Sequence, residues 1–359
     1  MSIESLKNIL SGSESFYNKN NYLTSTKSDF SQTKPLAASY TYNTENKTSR
    51  IAKQVFSVIV FPVGLYKLLH VCAGKIIVPA STPSLFAKNY ASSNRSEIVL
   101  NKEWKYKRIT VEVDGYKIDA MIVGKATTLN NGRWVLGSLG NAGFYEATLS
   151  QNTSFTQILS EIQGNGILFN YPGVGTSSGL PNRQALAKAY RAMLTLLEDD
   201  QRGIGAKEII GYGHSIGGGV QAEAIKKHEL KNHIKYVFVK DRTFSSLSAT
   251  ASSLYTKALG FLVKILGWNI NSVNSSINLK APEIIMQTAN VTQAQILESK
   301  ESVKGDGIIA DKVSLAKTLL NNTNCPTQNK VFIGIPENHD DVLENTTFLT
   351  SKIKKIIKK

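Results

Sequence analysis

From Trp104 to the C-terminus, short apolar runs alternate with stretches of helical period, and this alternation restricts the fold more than any other feature. RWVLGSL (133–139), GILFNYP (166–172), KEIIGYG (207–213), IKYVFVK (234–240), PEIIMQTA (282–289) and KVFIGIP (330–336) are too apolar for strands with one face in water. Helices are expected between and after them, over 146–163, 182–198, 217–229, near 312–321 and from about 342. In the second of these, Leu186, Tyr190, Met193, Leu194 and Leu197 share one face. Strands joined through helices run parallel, so the expected class is α/β: a mostly parallel sheet with helices on both faces. Residues 108–113 and 116–124 alternate across Asp114-Gly115, which predicts an antiparallel hairpin at one edge.

The chain before Trp104 reads differently. Ser, Thr and Asn make up 22 of residues 1–50, which predicts a flexible polar arm. Residues 51–103 form an apolar N-terminal segment. Within it, Val55 to Tyr66 is 12 residues without a charge, short of the roughly 20 that span a bilayer. The segment is expected to pack on the core; the other reading is an interfacial anchor with Lys53, Lys67 and Lys75 snorkelling. Residues 104–359 are the main domain, with a cap insertion at about 243–280. There Leu254, Ala258, Leu262 and Leu266 share a helical face, suited to packing or to an apolar lid. The final SKIKKIIKK (351–359) carries five lysines. It reads as a last helix packed through Leu349, Ile353, Ile356 and Ile357, with binding to anionic lipid as the alternative.

Several function classes are disfavoured. Cys72 and Cys325 lie in no spaced motif, and none of His70, His214, His228, His233 and His339 form an HExxH pair, so no metal is expected. No cofactor is expected either: Gly173-Val174-Gly175 and Gly217–Gly219 are glycine clusters, but neither opens the first βα unit or leads into Lys-Ser or Lys-Thr. The first thirty residues show no secretory signal pattern. The net charge of +15 suits an anionic partner such as a membrane surface. The basic residues are dispersed and no recognition motif accompanies them, so nucleic acid is not the expected partner.

The chemistry centres on Gly213-His214-Ser215-Ile216-Gly217, which joins an expected strand to an expected helix. This is the G-x-S-x-G nucleophile elbow in its required context. A serine on that turn projects beside a helix N-terminus, where backbone N–H groups favour an oxyanion. It needs a base, and the base an orienting acid. Among histidines after Ser215, His228 falls inside a helix and His233 at the wrong end of a strand. His339 remains, in a loop past the carboxyl end of the last strand. Asp306, beyond strand 282–289, is the first choice of acid. Asp241, past strand 234–240, is the second; Asp311 with the neighbouring glutamates is the third, a helix N-cap being the other reading of Asp311. The oxyanion donors are expected to be the N–H groups of Ile216 and, in the loop Leu139-Gly140-Asn141-Ala142-Gly143, of Asn141 or its neighbour Ala142.

LGSLGNAG, FNYPGVGTSSG, GYGHSIGGG, DRTFSSLS, GDGIIADKVSLA and ENHDD together resemble an α/β-hydrolase across 104–355. With FPVGLYKLLHVCAGKIIVPAS and GWNINS, the chain is most similar to the SidB-like and chlamydial CHLPS-type hydrolases of intracellular bacteria. The resemblance implies an α/β-hydrolase fold with a small helical cap, serine esterase or peptidase-like activity, and Ser215, Asp306 and His339 as the triad. It departs from the family at Leu139-Gly140, where His-Gly is usual, and in the long span from Thr288 to Asp306. Two functions follow as expectations. One is a serine hydrolase cleaving a carboxylic ester, with lipid or acyl esters favoured by the apolar segments. The other is an inactive α/β-hydrolase acting as a membrane- or protein-docking module. The expected location is cytoplasmic or peripheral to a membrane, and the resemblance alone extends this to an effector exported into a host cell.

Overall fold

The computed structural model describes residues 36–82, 94, 104–125, 127–151 and 154–358. Among them, ten strands form one sheet: β1 Leu36–Tyr42, β2 Trp104–Val113, β3 Tyr116–Lys125, β4 Arg133–Ser138, β5 Asn165–Phe169, β6 Glu208–His214, β7 Lys235–Asp241, β8 Glu283–Thr288, β9 Gln295–Ile296 and β10 Lys330–Ile335. Their order is β1-β2-β3-β5-β4-β6-β7-β8-β10-β9. Every neighbouring pair from β5 to β10 is parallel. Their carboxyl ends therefore lie along one edge, where open α/β sheets collect their functional loops. β2 and β3 form the antiparallel hairpin, turning through Asp114 at φ +47° and Gly115 at φ +86°. Two left-handed residues match the twist of the strands they join.

Helices cover both faces. The helices are α1 Lys47–Ile59, α2 Phe61–Ile77, α3 Tyr145–Gln151, α4 Ser154–Ile162, α5 Arg183–Glu198, α6 Ile216–Ile225, α7 Leu247–Leu254, α8 Lys257–Ile265, α9 Ser272–Asn278, α10 Leu315–Leu320 and α11 Thr347–Ile357. On one face Leu186, Tyr190 and Val220 of α5 and α6 pack with Trp134, Phe169 and Trp268. On the other, Phe155, Ile158 and Ile162 of α4 meet Leu349, Ile353 and Ile357 of α11. The apolar face of α11 is thus committed to the core, and its lysines ride outside.

Three expectations change in detail. The expected helix 146–163 is two helices, α3 and α4, with 152–153 outside the described residues. The polar arm expected over 1–50 does not extend that far: Leu36–Tyr42 is strand β1, parallel to β2, and α1 starts at Lys47. Residues 1–35 of that arm lie outside the described residues. Asp114 ties this added edge to the body, accepting hydrogen bonds from Thr44 N (2.8 Å) and Lys188 Nζ (2.6 Å). The first part of the apolar segment forms two helices bent by 105°, with Pro62 in the first turn of α2, where its missing N–H costs nothing, and residues 83–93 and 95–103 of the segment lie outside the described residues.

Residues 243–280 form α7, α8 and α9, and this insertion lies against α6. A Cβ on Gly218 would meet Thr243 at 2.1 Å, and one on Gly219 would meet Phe244 and Ile270 at 2.9 Å.

Candidate active site

Ser215 sits between β6 and α6 at φ +54°, ψ −122°, a conformation that L-residues adopt only under constraint. The flanking glycines supply the constraint. A Cβ on Gly217 would stand 2.1 Å from Ser138 O, and one on Gly213 would stand 2.7 Å from Gly218 Cα. β4, β6 and α6 therefore close to distances that only glycine permits. Ser215 N–H donates to Asp241 O at 2.9 Å, which pins the turn to the end of β7.

The structure brings Ser215, His339 and Asp306 together. His339 Nε2 is 2.8 Å from Ser215 Oγ, and His339 Nδ1 is 2.8 Å from Asp306 Oδ2. Both partners of the serine are buried: His339 is 4% exposed and Asp306 1%. Burial pushes the Asp306 carboxyl upward. The hydrogen bond from His339, its charge, and the N–H groups of Ile309 and Ile308 outweigh that and hold the carboxyl below its ordinary value. A second tie runs along the backbone, where His339 N–H donates to Asp306 O at 2.8 Å.

The long span before Asp306 has a structural explanation. An isolated bridge pairs Ala289 with Val303, and Lys304 N–H donates to Thr288 O at 2.9 Å. The intervening chain is a closed excursion carrying β9, and it returns the backbone to the carboxyl end of β8. Asp306 thus sits where a short loop would have placed it.

Asp241, the second candidate acid, has other partners. Arg242 grips it with two parallel bonds, Nε to Oδ1 and a terminal nitrogen to Oδ2, both 2.9 Å. Tyr212 donates to Oδ2 at 2.8 Å, and His214 Nδ1 lies 3.1 Å from the same oxygen. Burial would raise this carboxyl, but the Arg242 guanidinium and then His214 hold it well below the usual carboxylate range. Arg242, at φ +44°, also donates to the carbonyls of Asn338 and Asp341 (2.9 Å for the latter), on either side of His339. The Asp241–Arg242 unit thus holds the loop that carries His339. The His214 ring stands 5.1 Å from the His339 ring. Arg242, Tyr212 and His214 in this role carry no sequence signal beyond the adjacent Asp-Arg pair at a strand end. Asp311, the third candidate, pairs instead with Lys317.

The loop 139–143 closes the other side. Tyr171 donates to Leu139 O at 2.9 Å and lies 2.8 Å from Ser138 Oγ, while Asn170 Oδ1 accepts from Tyr145 N at 2.9 Å. FNYPGVGTSSG therefore braces this loop. A Cβ on Gly140 would lie 4.0 Å from Ser215 Cβ. Asn141 and Ala142 line the cavity, and Ile216 is the buried first residue of α6. The cavity at Ser215 is about 250 Å³, with Leu139, Phe155, Ile158, Leu168 and Leu343 as its apolar wall. Among the described residues no member of 243–280 lines it. No group of three or more His, Cys, Asp or Glu suited to a metal occurs among the described residues.

The Chlamydia CHLPS protein (DUF818) family matches residues 19–359. No curated protein matches the sequence. Similar solved structures include an esterase from Pyrococcus furiosus, 15% identical over 70% of this chain and 90% of that one, TM-score 0.48. Others are an alpha-beta hydrolase from Vibrio vulnificus (15%, 77% and 94%, 0.48) and a cold-adapted esterase from an Arctic intertidal metagenomic library (14%, 72% and 96%, 0.47). With a family match over nearly its whole length, the chain belongs to the Chlamydia CHLPS protein family.

Proposed function

We propose that the chain is a serine hydrolase that cleaves a carboxylic ester. The observation that carries this reading is the unbroken hydrogen-bonded line from Ser215 Oγ through His339 to Asp306, opening on an apolar-walled cavity. Ser215 attacks the ester carbonyl as His339 Nε2 takes its proton. Asp306 keeps Nδ1 protonated and stabilises the imidazolium. The N–H groups of Ile216 and Asn141 receive the oxyanion. Collapse of the tetrahedral intermediate expels the alcohol, protonated by His339. Water, activated by the same imidazole, then releases the acid and restores Ser215. At about 250 Å³ the cavity is at the small end of ligand pockets, which favours a short acyl group over a long lipid chain.

The test is labelling by a fluorophosphonate, with p-nitrophenyl esters of increasing acyl length as substrates. Wild type should label and Ser215→Ala should not. Turnover in the variant should fall by at least about a thousandfold. Folded wild type that takes no label, or a Ser215→Ala protein that keeps wild-type turnover, would sink the reading.

A further inference from the structure

We propose that α1, α2 and the outer face of α8 form a surface that seats the protein on an anionic lipid bilayer. The first observation is an inverted helix. α1 is amphipathic, yet none of its residues is buried. Its contact with the fold is polar: Arg50 pairs with Asp114 of the hairpin turn at 3.4 Å, while Lys53, exposed, pairs with Glu45 just before the helix. Its apolar side, including Val55, Phe56, Val58 and Ile59, faces solvent, with Val58 82% exposed. Soluble proteins turn such helices the other way.

The second observation is α2, apolar on two faces. One face is used: His70 O accepts from Trp268 Nε1 at 2.7 Å, the His70 ring stacks on Trp268 at 5.1 Å, and Gly74 is buried against Pro181. The other, with Phe61, Leu65, Leu68, Leu69 and Ile76 at helical spacing, is exposed. The His70 side meets the end of α8 at Leu266 and Gly267. There α8 adds Phe261, Leu262 and Ile265, also exposed. Exposed apolar side chains gathered on three adjoining helices mark an interaction surface.

Charge names the occupant. Residues 47–77 contain five Lys or Arg and no acid, and residues 243–282 contain three Lys and no acid. Apolar side chains inserted at headgroup level, rimmed by cations alone, suit an anionic lipid surface. No single helix among the described residues is long and apolar enough to cross a bilayer. α1 and α2 together have the length and composition of a broken span, but their 105° bend and the five cations along them suit the pair to lying in the interface.

The experiment is flotation of the full-length protein with vesicles of phosphatidylcholine containing roughly one-third phosphatidylserine, against phosphatidylcholine alone. Wild type should float with the anionic vesicles and lose binding as salt rises. Phe56→Ser, Phe61→Ser and Phe261→Ser should each cut the bound fraction, on the order of tenfold per ring removed from the hydrocarbon. Ser215→Ala should float like wild type, so this test stands or falls apart from the hydrolase reading. Retained circular dichroism and an unchanged melting temperature would show that the Phe variants are folded. Four outcomes overturn the proposal: no flotation of wild type, equal flotation on neutral vesicles, Phe variants that float undiminished, or a wild-type dimer that the Phe variants dissociate. The last would make a second copy the occupant.

Discussion

At the scale of single residues, two carboxylates near Ser215 have different work. Asp306 bonds to His339, whereas Asp241 is spent on Arg242, Tyr212 and His214. Removing charge from each should therefore have unequal effects. Asp306→Asn removes the acceptor that fixes the His339 tautomer, and kcat should fall by about 10⁴. Asp241→Asn, like Arg242→Met, loosens the loop that carries His339 and should cost on the order of 10²-fold through misplacement. Steady-state kinetics on a p-nitrophenyl ester separates the cases. Equal losses for Asp306→Asn and Asp241→Asn would refute the division of labour. The choice between these acids was open in the sequence because both follow strand ends. It turns on the bridge between Ala289 and Val303, a contact between residues with no shared pattern.

At the scale of elements, β6, the elbow and α6 are legible from composition because the turn demands glycine. Gly217→Ala would drive a Cβ to within 2.1 Å of Ser138 O, which is backbone and cannot swing aside. A loss of roughly 1–3 kcal/mol is expected, with weakened labelling of Ser215. Thermal melting checks the first and the fluorophosphonate the second; an unchanged melting temperature would mean the backbone gives way without cost. β1 was not legible, because its seven residues LAASYTY lack the apolar density of the central strands. An edge strand needs only one neighbour and one covered face, so its sequence is less constrained. The apolar run 55–66 was legible as apolar, but its break into α1 and α2 and their outward faces were not.

At the scale of the whole molecule, the first residues of β8 and β10 form, with Lys240 of β7, a charged cluster whose side chains have no exposure. Glu283 lies 2.6 Å from Lys240 Nζ and 3.1 Å from Lys330 Nζ. Burial pushes the Glu283 carboxyl up, and the two ammonium groups more than reverse it. Glu283→Gln would leave two buried lysines without a counter-charge, and a loss of about 3–5 kcal/mol in unfolding free energy is expected. Glu283, Asp241 and Asp306 all titrate below their ordinary values in the fold. The unfolded chain takes up protons at those groups first as pH falls, so acid favours unfolding. Their stabilisation is complete above the usual carboxylate range, near pH 4, and is lost as pH falls through it toward the native values. Melting temperature should therefore drop in acid, and the drop should be shallower in Glu283→Gln. A drop of equal steepness would remove Glu283 from the account.

The sequence alone determined the class of sheet, the position of the elbow, and the pair of loops past β8 and β10 that carry Asp306 and His339. Those features are local: apolar runs, glycine spacing and chain order express the needs of the backbone where they occur. Only the tertiary structure decided which acid faces His339, what holds the His339 loop, how β1 extends the sheet, and which apolar helix faces remain uncovered. Each of those depends on which distant segments meet, and a side chain's partner across space leaves no period in the chain that encodes it.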